Sequence, residues 1–115
     1  MVKQMFVNSY LDMIGRVLKG EYSLIPELLD YENVRRLFER DCERIIESFH
    51  KGEIGEDFAR RNFFLLKSYV VSQLLIHSER LKKLADEKGI KAVIKIRAED
   101  VNEIAMMIER KEREI

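Results

Sequence analysis

Between Phe63 and Ile76 the chain is apolar on nearly every side of a helix, interrupted only by Lys67, Ser68, Ser72 and Gln73. This stretch most constrains the fold. It lies inside a segment that can run unbroken as one helix from about Asp57 to Lys88. A main stripe follows Phe63, Leu66, Val70, Leu74, Leu81 and Leu84, flanked by Phe58, Leu65, Tyr69 and Ile76. Phe64, Val71 and Leu75 then fall among Arg60, Lys67, Ser68, Lys82 and Asp86, on what should be the wet side. A helix apolar all round belongs in the middle of a large core. A chain of 115 residues has few other helices with which to surround it, so a partner chain is the expected cover, with Phe64, Val71 and Leu75 as its contact residues.

The rest of the chain reads as helices placed around that one. Gly20, Gly52 and Gly89 each follow a periodic segment and a basic residue, as glycines closing a helix do. In the first stretch, residues 2–19, Val2, Phe6, Tyr10, Met13, Ile14, Val17 and Leu18 repeat at helical spacing, and Val7 and Leu11 widen the face to about half the circumference. Gln4, Asn8, Asp12, Arg16 and Lys19 fill the remaining arc. Ser23 can cap a short helix with Pro26 in its first turn, where a missing N–H costs nothing. Asp30 can cap a longer one reaching about Lys51, with a clean stripe of Val34, Leu37, Phe38, Cys42, Ile45, Ile46 and Phe49. Its opposite face, laced with pairs such as Glu32–Arg36 and Glu47–Lys51, is a solvated one.

Residues 90–96 fit two periods. Ile90, Ala92, Ile94 and Ile96 alternate as a strand would, yet Ile90, Val93, Ile94, Val101, Ile104 and Ile108 also fit a helix. We expect an extended segment ending at Arg97, then a last helix of about 98–114 with Glu99 and Asp100 in its first turn, favourable to the helix dipole. A lone strand would leave unpaired backbone groups and seek a symmetry mate. The expectation is therefore one all-α domain over residues 1–115: a multihelical array or bundle with one long central helix and at most a short strand at 90–96.

Composition excludes several classes. The single Cys42 allows no intrachain disulfide, and the start lacks the pattern of a signal peptide, which fits a reducing, cytoplasmic setting. The apolar run is too short and too polar for a bilayer, which takes roughly 20 apolar residues, so no membrane role is expected. Charged residues make up 37%, Thr and Trp are absent, and Gln occurs only at positions 4 and 73. That polarised alphabet matches proteins from hot environments, where ion-pair networks are favoured.

Chemistry-bearing residues have structural readings. Glu47-Ser48-Phe49-His50 matches half of a di-iron bundle motif, but the chemistry needs inward carboxylates on other helices, and the first and third helices have no Glu inside their stripes. His50 complements the end of its helix, His77 reads as a half-buried histidine with a hydrogen-bond partner, and Cys42 as a small core residue. Ser9, Ser48, Ser68, Ser72 and Ser78 have no base at helical spacing, and the glycines form no phosphate loop. No catalytic residue, metal site or cofactor is expected. Net charge is zero, but Arg80, Lys82, Lys83, Lys88, Lys91, Lys95 and Arg97 stand against only Asp86 and Glu87, a local +5 balanced by −5 elsewhere. Such a segment can grip phosphates of a nucleic acid, or an acidic protein. It carries no aromatic residue to stack on bases, so ordinary surface charge is the competing reading.

Two stretches, Glu53-Ile54-Gly55-Glu56-Asp57 and Ile96-Arg97-Ala98-Glu99-Asp100-Val101, are similar to the histone fold over the C-terminal half, though the chain is neutral and its central helix longer. As a whole, and most through Asp30 to Phe49 and Phe63 to Ile76, the chain resembles a family of small all-helical archaeal proteins with no assigned activity. That resemblance implies a helical array, expected to be a homodimer, and supplies no site residues.

Overall fold

The computed structural model describes residues 6–115 and is built from five α-helices. They are α1 (Ser9–Leu18), α2 (Ile25–Leu28), α3 (Tyr31–His50), α4 (Glu56–Glu87) and α5 (Ala98–Glu112), with a 3₁₀ turn at Tyr22–Leu24 before α2. The principal extents are 46 × 34 × 19 Å. The short dimension is about two helix diameters, so the helices form a slab two layers thick.

The long central helix is as the sequence predicts, and α3, α5 and the short α2 all pack against it. Ala59, Phe63, Leu66, Val70, Leu74, Leu81 and Ala85 of α4 are buried, within one continuous cluster that includes Phe38, Cys42 and Ile45 of α3 and Ile104 and Ile108 of α5. Burying each large apolar side chain contributes about 1.5–3 kcal/mol. Tyr10, Phe38 and Tyr69 form an aromatic knot with ring centroids 5.9, 6.0 and 6.1 Å apart, joining α1, α3 and α4.

The helix ends follow local chemistry. Asp30 caps α3, its carboxylate accepting from the Asn33 N–H at 3.2 Å. Asp100 reaches back to accept from the Arg97 N–H at 2.8 Å and so opens α5. Gly52 (φ 75°) and Gly89 (φ 69°) close α3 and α4 in the left-handed region, where a side chain would be strained. The Glu53 N–H then bonds the Ser48 carbonyl, and the Ile90 N–H the Ala85 carbonyl, satisfying groups that a helix end leaves open.

Two expectations need correction, and the open reading of residues 90–96 is resolved. The first helix begins at Ser9, not near residue 2, because Asn8 turns its side chain to accept from the Leu11 N–H at 3.1 Å. Phe6 and Val7 lie before that cap, with Phe6 stacked on Phe58 at 5.5 Å, while the part of the expectation resting on Val2 and Gln4 falls outside the described residues. Ser23 caps nothing: it sits inside the 3₁₀ turn, and Pro26 alone marks the start of α2. Residues 90–96 are extended but form no strand. Their single bridge pairs Lys95 with Asp30, the Lys95 N–H donating to the Leu29 carbonyl at 2.8 Å. That one pairing is made within the chain.

Candidate interaction surface

α4 turns one side to the core and leaves the other bare. Phe64 is 67% exposed and Val71 61%, with Leu65 and Ile76 also exposed on the outward arc. Leu75, expected beside them, is half-buried and packs against the edge of the core. On the α5 side, Phe64 borders an open groove of about 450 Å³ lined by Arg60, Lys67, Glu109 and Glu112. Ion pairs tie the two helices together along that groove. Arg60 Nη1 lies 3.3 Å from Glu112 Oε2, and Lys67 pairs with Glu109, holding the Glu109 carboxyl below its usual range. These pairs are solvent-exposed and screened by water and salt, so they add little to stability.

The seven basic residues do not come together as one patch. Arg80, Lys82 and Lys83 line an open groove of about 430 Å³ with Ile76, Ile94 and the carboxylates Glu79 and Asp86. Lys82 is already paired to Asp86 at 2.5 Å. Lys91 borders a neighbouring groove of about 480 Å³ that also includes Lys82 and Asp86. Lys88 instead lies 5.0 Å over the Tyr22 ring, a cation–π contact between the end of α4 and the 3₁₀ turn. The Lys95 backbone is tied to Leu29, and Arg97 sits at the head of α5 with Glu99 3.7 Å away. The backbone explains the dispersal: residues 80–87 are still helical, while 90–97 are not and are tied at Lys95 to the end of α2.

The titratable side chains serve structure. The His77 Nδ1 lies 2.6 Å from the Tyr69 hydroxyl, the partner the sequence anticipates. Burial, then the Arg80 charge, lowers the imidazole's pKa, and burial raises the phenol's, so the contact joins two neutral groups, with the donor set by the imidazole tautomer. Burial, reinforced by Asp41, pushes the Cys42 thiol up to about 12, so it is a packed thiol and no nucleophile. Glu47 pairs with Lys51 at 2.7 Å, and the His50 Nε2 meets the Glu114 carbonyl at 3.1 Å. Among the described residues no cluster of His, Cys, Asp or Glu could hold a metal ion. Among them, too, no helix is long and apolar enough to cross a membrane.

Three polar residues, Asp41, Asn62 and Ser78, are buried in a way the sequence reading does not anticipate, and all three contact the start of the described chain. Asp41 accepts from the Ser9 N–H at 2.8 Å and the Ser9 Oγ–H at 2.5 Å. Asn62 accepts from the Val7 N–H at 3.3 Å and donates to the Phe58 carbonyl at 3.1 Å. The Ser78 hydroxyl donates to the Leu74 carbonyl and lies 3.4 Å from the Tyr10 hydroxyl. A signal was available: Asp41 is three residues after Phe38 and four before Ile45, which puts it on the apolar face of α3. Asp41 also sits at the positive end of α1, whose first N–H groups would otherwise lack partners.

This arrangement of helices recurs in a known protein. A structure described as predicted coding region AF0941 from Archaeoglobus fulgidus superposes with a TM-score of 0.92 at 42% identity, over 97% of this chain and 98% of that one. An uncharacterized protein of Archaeoglobus fulgidus is 44% identical over 113 residues, 96% of this chain and 99% of its own. The profile of the AF0941-like family matches residues 4–115. The chain belongs to the AF0941-like family. The match runs through both halves, whereas the histone likeness covers only the second, so the five-helix slab is the AF0941-like fold. It is the small all-helical archaeal family that the sequence resembles, and nothing in the relatives or the site indicates catalysis.

Proposed function

We propose that the chain is a single-domain, cytoplasmic, non-catalytic interaction module that pairs with a second copy of itself through the outer face of α4. The observation that carries this is the exposure of Phe64 and Val71 on a helix whose other side is fully packed. Bare apolar area of that kind on a thin slab marks an association site. The roles of the polar side chains support a non-catalytic reading: His77, Cys42, Asp41, Asn62 and Ser78 are each engaged in packing or capping. The packed lone thiol fits a reducing compartment. Light scattering at micromolar concentration should return twice the chain mass. Phe64→Glu or Val71→Glu should return the chain mass with helical content unchanged. A wild-type chain that stays monomeric, with both variants equally soluble and stable, overturns the reading.

A second reading rests on Arg80 and Lys83, which line an open groove and have no ion-pair partner among the described residues. It makes the α4 end a contact for nucleic acid. A gel shift whose affinity falls steeply with salt supports it, and no shift at about 50 mM salt ends it.

A further inference from the structure

The outer face of α4 has an internal symmetry that specifies how a second copy sits on it. Arg61, Leu65, Ser68, Ser72, Leu75 and Glu79 recur at alternating spacings of four and three, the spacing of a helix-pairing seam. The seam runs down the middle of the arc that α4 turns to solvent: Arg61, Leu65, Ser72 and Glu79 are exposed, Ser68 and Leu75 half-buried. It is also palindromic about residue 70. Ser68 and Ser72 lie two residues either side, Leu65 and Leu75 five, Arg61 and Glu79 nine, and Asp57 and Lys83 thirteen.

Resting on the self-association proposed above, we infer that two copies pair α4 against α4 antiparallel, about a two-fold axis level with Val70. Every layer is then complementary. Ser68 meets Ser72 of the other copy at the axis, where small side chains let the helices approach closely. Leu65 meets Leu75 on either side. Arg61 meets Glu79, and Asp57 meets Lys83, in the outer layers. Among the described residues none of these four charges has an ion-pair partner in its own chain, although exposed pairs are plentiful elsewhere on the surface. A parallel pairing would instead set Arg61 against Arg61 and Glu79 against Glu79, which is repulsive. Ser72 Oγ is turned back onto the Ser68 carbonyl at 2.6 Å, so its hydroxyl needs no partner across the seam.

Charge reversal tests the register directly, because Arg61 and Glu79 lie on one helix about 27 Å apart and cannot meet within a chain. In sedimentation equilibrium of the full chain, Arg61→Glu and Glu79→Arg should each raise the dimer dissociation constant about tenfold, each reversal acting in two symmetric layers. The doubly reversed chain should return to within about twofold of wild type. A double variant as weak as the singles overturns the antiparallel register. So do reversals without effect in a chain that Val71→Glu still makes monomeric, and that result leaves the α4 face intact as the interface. A wild-type monomer at all concentrations overturns both proposals. Thermal unfolding of each variant, followed by circular dichroism at a concentration where all are monomeric, should be unchanged, which separates a lost contact from a lost fold.

Discussion

α3 and α4 lie side by side, and they solve opposite problems. In α3, Val34, Phe38, Cys42, Ile45 and Ile46 are buried while Arg36, Arg40, Glu43, Arg44 and Glu47 face water, so one chain satisfies it entirely. α4 has more apolar residues than one face can hold. Its inner side is packed by α5, α3 and α2, and its outer side keeps Phe64, Leu65, Val71 and Ile76 exposed. The difference teaches that a helix's demand for cover follows the width of its apolar arc. The one exception within α3 is Asp41, a carboxylate buried on the apolar side because α1 starts against it.

That comparison can be broken or sharpened in four places. The largest effect belongs to the inner faces. Phe38→Ala opens a cavity beside Tyr10 and Tyr69 and should cost about 3–5 kcal/mol by urea denaturation. A loss below 1 kcal/mol would mean that the aromatic knot is not shared core. Next is the polar exception. Asp41→Ala strands the Ser9 N–H and hydroxyl and should cost about 1–3 kcal/mol. Because burial outweighs the Ser9 hydrogen bonds, the Asp41 carboxyl has a pKa above its ordinary 3.8. Its contribution is therefore greatest below pH 3.8 and falls as pH rises through the folded value. Asp41→Asn should flatten the wild-type slope in that window, and an unchanged slope would show that the carboxyl is not buried.

A smaller effect comes from His77, held below its ordinary 6.5 by burial and Arg80. The unfolded chain binds this proton more tightly, so the stabilising contribution is complete above pH 6.5 and is lost as pH falls towards the folded value. His77→Gln should reduce that loss, and identical pH–stability curves would count against the burial of the imidazole beside Arg80. Least of all should follow from the outer face. At concentrations where the chain is monomeric, Phe64→Ser should change unfolding free energy by no more than about 0.5 kcal/mol, as surface substitutions do. A cost near that of Phe38→Ala would mean that the outer face of α4 is covered within its own chain.

What could be read from the residues, and what could not, divides along the same lines. The α3 stripe and the Asp30 cap are legible because one local period decides them. The span of α4 is legible too, since nothing between Glu56 and Glu87 interrupts it and Gly89 ends it. The start of α1 is not. Phe6 and Val7 keep helical spacing, yet their backbone belongs to an arm whose course is set by Asn62 and Asp41, residues far along the chain. The basic segment is legible as charge but not as a surface, because a helix end and a straight segment send its side chains different ways.

The sequence by itself determined the helical class, the long central helix, the helix-ending glycines and the surplus of apolar residues on α4, since each depends on neighbours within about one or two turns. The tertiary structure alone decided where α1 begins and how residues 90–96 are tied down. Those depend on single contacts between distant parts of the chain, such as Lys95 with Leu29 and Ser9 with Asp41, and such contacts leave no periodic trace in the order of residues.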